Sequence, residues 1–224
     1  MELGTCLDLA KLFLTQNKFN EAQDLISKVI TLSGQKYNLS SNPWRIQAEH
    51  LAGRIWIAQN KLNLAAAKAD TIKKLVEKYK NKPIYLDYYK MLLAEINLKK
   101  SELDKAFENL DRTSQTIKDH SPYYNSLLAK CYTVQGKTQE AINIYQDFYT
   151  DVTSGWAIWG GDFYDYYFER SLINYKIALI NDRQGDSENA LTYYNKALMQ
   201  WREADPGLTE MNAIKSRMSE IRKN

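Results

Sequence analysis

Apolar residues recur at helical spacing from the first residues of the chain. Leu3, Leu7, Ala10 and Phe13 fall at steps of four, three and three, placing them on one face of a helix. The far end behaves the same way. Met211, Ile214, Met218 and Ile221 recur at steps of three, four and three, with Lys215, Arg217 and Arg222 elsewhere around the turn, which predicts a one-sided helix closing the chain. Four prolines and nine glycines are few for 224 residues, and most stand between long helix-compatible stretches. That is poor material for an all-β protein and predicts an all-α one.

The helical pattern repeats. Gln16-Asn17-Lys18-Phe19-Asn20-Glu21-Ala22 aligns with Gln59 to Ala65, Lys100 to Ala106, Gln135 to Ala141 and Gln184 to Ala190. Each segment ends on an alanine anchor. Twelve residues before each anchor stands a small residue: Ala10, Gly53, Ala94, Ala129 or Ala178. Five residues before it stands Asn17, Asn60, Ser101, Gly136 or Gly185, all tolerant of left-handed backbone, so the chain is expected to reverse there. Four residues after it come Ile26, Ala69, Leu110, Tyr145 and Tyr194, one turn along the same face. The unit is a helical hairpin in which a small residue of the first helix faces the alanine of the second, so that the two axes approach closely. One hairpin cannot bury its own apolar face, so successive hairpins must stack. The anchors lie 43, 41, 35 and 49 residues apart. Only one spacing is near the ideal of about 34, so longer helices or inserted turns are expected.

Proline placement agrees. Asn42-Pro43, Ser121-Pro122 and Asp205-Pro206 each put a capping side chain before a proline, which suits a first helical turn, where the N–H has no intrahelical partner. Pro83 fits the same role in the third unit, behind a poorer cap in Lys82.

The combination of small residue, turn, anchoring alanine and following aromatic, as in Ala129, Gly136, Ala141 and Tyr145, resembles the tetratricopeptide repeat over nearly the whole chain. The expected fold is an all-α, right-handed solenoid of about five hairpins forming a single repeat domain over 1–224. The repeats are expected at about 3–34, 43–80, 84–119, 122–150 and 164–203, with a capping helix at 206–222. The stretch from Tyr194 through Trp201-Arg202-Glu203-Ala204-Asp205-Pro206 to Glu210 is similar to the C-terminal repeat regions of bacterial multidomain regulators, including serine/threonine kinases and transcriptional activators. That resemblance implies a signalling or regulatory setting and transfers no enzymatic activity, because no effector domain accompanies it. Helical periodicity begins with no capping segment before it, which suggests a piece of a longer chain.

Composition narrows the chemistry. Thirty basic and 27 acidic residues give a net charge of +3, too balanced to indicate a nucleic-acid or anionic-membrane surface. No apolar run has the roughly 18 residues of a membrane span, and the start is not that of a secretory signal, so a cytoplasmic location is expected. Cys6 and Cys131 are far apart within apolar helical patterns and read as buried residues. His50 and His120 fit no zinc-ligand spacing, and His120 reads as part of a loop. Gly136-Lys137-Thr138 resembles the end of a phosphate loop, but Cys131 stands where that loop needs glycine, so it reads as a turn. Lys68, Lys73, Lys74, Lys78, Lys80 and Lys82, interspersed with Asp70 and Glu77, read as a solvated helix face. No catalytic pair, metal set or cofactor motif is found, and the expectation is a non-enzyme.

A partner site follows from the repeat. Residues one step past each small position, Lys11, Arg54, Glu95, Lys130 and Leu179, are expected on the concave face lined by first helices. One turn earlier come Leu7, His50, Met91, Ser126 and Tyr175, and before those Gln47, Tyr88 and Tyr123. This tyrosine-lined, mostly positive groove suits a protein or peptide carrying a carboxylate, or an effector domain of the same longer chain. It does not reproduce the two-carboxylate clamp of chaperone-binding repeats, which calls for asparagine where Lys11 and Arg54 stand. The long fourth spacing holds ten aromatics, from Tyr145 to Phe168. Either they pack the joint between the last two hairpins, or Trp156 and Trp159 rim a pocket for a small ligand or signalling peptide, making the chain a sensor.

Overall fold

The computed structural model describes residues 2–36, 43–77, 83–150, 163–204 and 209–223. Their regular structure is entirely helical: α1 (Leu3–Thr15), α2 (Phe19–Lys36), α3 (Pro43–Ala58), α4 (Leu62–Glu77), α5 (Pro83–Lys99), α6 (Leu103–Asp111), α7 (Gln115–His120), α8 (Pro122–Gln135), α9 (Thr138–Thr150), α10 (Phe163–Arg183), α11 (Ser187–Gln200) and α12 (Thr209–Ile221).

The five predicted reversals are one motif repeated. Asn17, Asn60, Ser101, Gly136 and Gly185 all adopt positive φ, between 57° and 80°. At each, two crossed backbone bonds close the preceding helix. Lys18 N–H donates to Phe13 O and Asn17 N–H to Leu14 O; the pairs at Lys61/Asn60, Glu102/Ser101, Lys137/Gly136 and Asp186/Gly185 follow the same offsets. This is the Schellman closure, which requires a left-handed residue one place past the helix C-cap. In every case the second helix of the hairpin starts two residues later. Glycine carries that conformation without a Cβ penalty; asparagine and serine hold it here at some cost in strain.

The anchors Ala22, Ala65, Ala106, Ala141 and Ala190 are completely buried, as are Ala10, Ala94, Ala129 and Ala178 among the small first-helix positions. The following positions Ile26, Ala69, Leu110, Tyr145 and Tyr194 are buried too. Burial of each Ile or Leu there contributes about 1.5–3 kcal/mol. Gly53 modifies the sequence expectation. A Cβ at this position would stand 2.5 Å from Leu92 Cδ2 on the first helix of the next hairpin. The small residue there serves the stacking of one hairpin on the next.

The chain divides into two compact units, Met1–Leu127 and Leu128–Asn224. In the first, α1/α2, α3/α4 and α5/α6 pair as hairpins, while α1 packs on α3 and α3 on α5. The expected third repeat departs from a simple hairpin, because its second arm breaks into α6 and α7. The cause is a buried carboxylate on α5. Asp87 is fully buried, accepts from Ser114 N–H at 3.2 Å and from Ser114 Oγ at 2.5 Å, and pairs with Lys90 at 2.9 Å. Satisfying it draws the backbone at Ser114 out of the helix. His120, expected in a loop, is the last residue of α7.

In the second unit, Ala129, Ala141, Ile142 and Tyr145 share a core with Ile173, Ile177 and Ile180 of α10, and α11 pairs with α10. Ile214, Met218 and Ile221 of α12 pack with Tyr194, Ala197 and Trp201, so the predicted closing helix covers the last hairpin. It is described from Thr209, and the expected start at Pro206 lies outside the described residues. Its seat includes a polar lock. Asp182 accepts two bonds from Arg217, at 2.8 and 2.9 Å, and a third from the Tyr194 hydroxyl at 3.0 Å. Arg217 and Tyr194 together hold the Asp182 carboxyl below its usual range, and the Arg217 bond contributes most.

Prolines 43, 83 and 122 each open a helix. Ser121 caps α8 by accepting from Tyr124 N–H at 3.3 Å.

Candidate functional site

Residues drawn from four helices of the first unit meet on its first-helix side: Lys11 of α1, His50 and Arg54 of α3, Tyr88 and Glu95 of α5, and Tyr123 of α8. They occupy three successive turns of the first helices, with Lys11, Arg54 and Glu95 at one level, His50 one turn earlier, and Tyr88 and Tyr123 two turns earlier. The His50 ring meets Tyr88 and Tyr123 edge-on, with centroids 5.2 and 5.1 Å away. The Arg54 guanidinium lies 4.1 Å from the Tyr123 ring centre, and the Tyr123 hydroxyl donates to Glu95 Oε2 at 2.6 Å. Lys11 Nζ stands 3.7 Å from Asp8.

His50 is the unusual member. It is 5 % exposed, and its Nε2 has no hydrogen-bond partner. Burial first, then the positive charges of Arg54 and Lys11, push its pKa well below the ordinary imidazole value. The ring is therefore neutral at physiological pH.

Ten of the positions expected on a groove separate by depth. Gln47, Arg54, Tyr88 and Glu95 are half-buried and reach the surface, while Lys130 on α8 is exposed. Lys11, His50, Met91, Tyr123 and Ser126 are buried, so they support the face from beneath. The positive floor is also tempered, because Lys11 has Asp8 beside it and Arg54 is applied to a tyrosine ring. Trp156 and Trp159 lie outside the described residues.

Other sequence candidates resolve plainly. Lys68 pairs with the buried Glu49 at 2.7 Å, while Lys73 and Lys74 are exposed; Lys78, Lys80 and Lys82 lie outside the described residues. Gly136 is the left-handed residue of a helix closure, which accounts for Gly136-Lys137-Thr138. Cys6 and Cys131 are free and buried, and burial pushes the Cys131 thiol up to about 11. Among the described residues, no three His, Cys, Asp or Glu side chains are placed to hold a metal ion, and no helix is long and apolar enough to cross a membrane.

Sequence reasoning missed the Asp182–Arg217–Tyr194 lock. Arg217 was legible only as a polar position on the outside of α12.

Comparison with known proteins bears on the fold. A family model described as tetratricopeptide repeat matches residues 174–198, which run from the middle of α10 through most of α11. No curated protein matches at a significant level. Among solved structures, a thermophilic tetratricopeptide-repeat protein of Thermus thermophilus is similar over 100 % of both chains, with a TM-score of 0.60 and 14 % identity. A Podosopora anserina putative kinesin light chain with nearly identical tetratricopeptide-like repeats is similar over 91 % of this chain and 98 % of that one, with a TM-score of 0.51 and 15 % identity. The chain thus carries a tetratricopeptide repeat at residues 174–198 and is folded as an all-α solenoid of that type.

Proposed function

We propose that this chain is a non-catalytic module for protein–protein interaction, and that it engages a peptide or partner domain through the first-helix face of its first unit. One observation carries the reading. His50, Arg54, Tyr88, Glu95 and Tyr123, from three different helices, converge on one surface, with aromatic rings beneath and charged groups above. Rigid aromatic groups beside an arginine are the usual material of binding hot spots. The fold type supports the general role, since stacked hairpins present extended surfaces for recognition. Arg54 is the group suited to a partner carboxylate, because its planar fork can leave the tyrosine ring and pair in bidentate fashion. The setting we favour is a bacterial signalling or regulatory protein in which this segment recruits a partner or an effector domain of the same longer chain. That setting rests on the resemblance of residues 194–210 to such regulators.

The test is affinity enrichment from source-cell lysate with the wild-type chain and with Arg54→Gln and Tyr88→Ala variants, each shown by circular dichroism to stay helical. A protein retained by the wild type and lost by both variants supports the reading. A protein retained equally by all three places the binding surface elsewhere.

A further inference from the structure

A cleft of about 710 Å³ opens in the second unit, independent of the face proposed above. Its base is formed by Ile173 and Ile177 of α10, and its two sides by α9 and α11, the second helices of successive hairpins. The sides are held in place by side-chain bonds. Gln146 Nε2 on α9 donates to the Tyr193 hydroxyl on α11 at 2.9 Å, and Asn174 Nδ2 on α10 donates to Gln200 Oε1 on α11 at 3.1 Å. The cleft is therefore preformed, which lowers the ordering cost of binding.

Two residues on the α11 side characterise what fits. Met199 is 74 % exposed and is one of three large apolar side chains that stand exposed among the described residues. Its flexible, polarizable side chain suits an adaptable apolar contact. Lys196 is also exposed and holds its ammonium 4.4 Å from the centre of the Tyr193 ring, with no carboxylate partner among the described residues. It is the only charged side chain lining the cleft among those residues. Among the described residues the lining thus offers an apolar base, one cation and no acid. An apolar furrow between two helices is the kind of surface that receives the apolar face of an amphipathic helix.

We propose that this cleft seats the apolar edge of a helix from an acidic partner protein, with Lys196 pairing a carboxylate beside that edge.

The experiment pans a phage-displayed library of 16-residue helix-forming peptides against the full chain. Affinities of the enriched peptides are then measured for the wild type and for Met199→Lys and Lys196→Glu. Both side chains are exposed, so both variants keep the fold, as circular dichroism will check. The expected winners carry apolar residues at i, i+3 or i+4, and i+7 with a flanking Asp or Glu. They should bind each variant at least about tenfold more weakly. Exchanging the flanking acid for lysine should restore binding to Lys196→Glu, and Arg54→Gln should leave all of these affinities unchanged. Winners that bind both variants as tightly as the wild type, winners with a basic flank, or a library with no binder sensitive to Met199 would each overturn the proposal.

Discussion

Two polar junctions, one in each unit, handle a titratable group packed against aromatic rings in opposite ways. In the second unit the Asp182 carboxylate receives three hydrogen bonds and is held ionised by Arg217 and Tyr194. In the first unit His50 sits between two tyrosine rings with an unpartnered Nε2, flanked by the charges of Arg54 and Lys11, and is held neutral. A saturated charge fixes one geometry and clamps the closing helix α12 to the last hairpin. An unsaturated neutral ring tolerates only one protonation state. The Asp182 junction reads as a lock, and the His50 junction as a less satisfied arrangement beneath the face proposed to bind a partner.

The largest effect is expected from breaking the lock. Asp182→Ala strands the Tyr194 hydroxyl, whose side chain is almost completely buried, and removes the two bonds that tie Arg217 to α10, leaving only its bond to Glu220 within α12. The loss should be about 2 kcal/mol, read as a lower urea midpoint for the second unit. A midpoint that does not move would mean that α12 is held by its apolar face alone.

Next comes the response of the first unit to acid. In the unfolded chain His50 takes a proton near pH 6.5, while in the folded chain it does so only well below that value. Between the two, the unfolded state binds more protons, so stability falls as pH falls. The slope from this residue is about 1.4 kcal/mol per pH unit from pH 6.5 downward, ending at the folded pKa. His50→Asn should remove that slope in urea titrations repeated at pH 7 and pH 5.5. An unchanged slope would mean that the ring finds a partner when protonated.

The smallest effect sharpens the contrast. Arg217→Ala breaks the same lock from its exposed end, and the Arg217 side chain is 45 % exposed. Removing an exposed ion-pair partner costs less than removing the acceptor it shares with a buried hydroxyl, and less again in high salt. Equal losses for Arg217→Ala and Asp182→Ala would show that the hydroxyl of Tyr194 contributes nothing to the lock.

The repeat was legible because its constraints are local. Left-handed residues at Asn17, Asn60, Ser101, Gly136 and Gly185, and alanines five residues on, follow from turn chemistry and close helix packing, both of which act over a few residues. The break between α6 and α7 was not legible, because it depends on Asp87, 27 residues away from the Ser114 groups that satisfy it. The candidate site was half legible. Helical phase put Lys11, His50, Arg54, Tyr88, Glu95 and Tyr123 on a common side, and the structure joins them. Depth did not follow from phase. Met91 and Ser126 share that side yet are buried, since depth is set by how closely neighbouring helices approach, which a single helix does not encode.

On the proposed function, the first-helix face of the first unit meets the partner. Hydrogen–deuterium exchange of the chain, alone and saturated with the protein recovered by enrichment, tests it directly. Added protection is expected in α3 from Gln47 to Arg54 and in α5 from Tyr88 to Glu95. Protection confined to other helices, with those two segments unchanged, would contradict it.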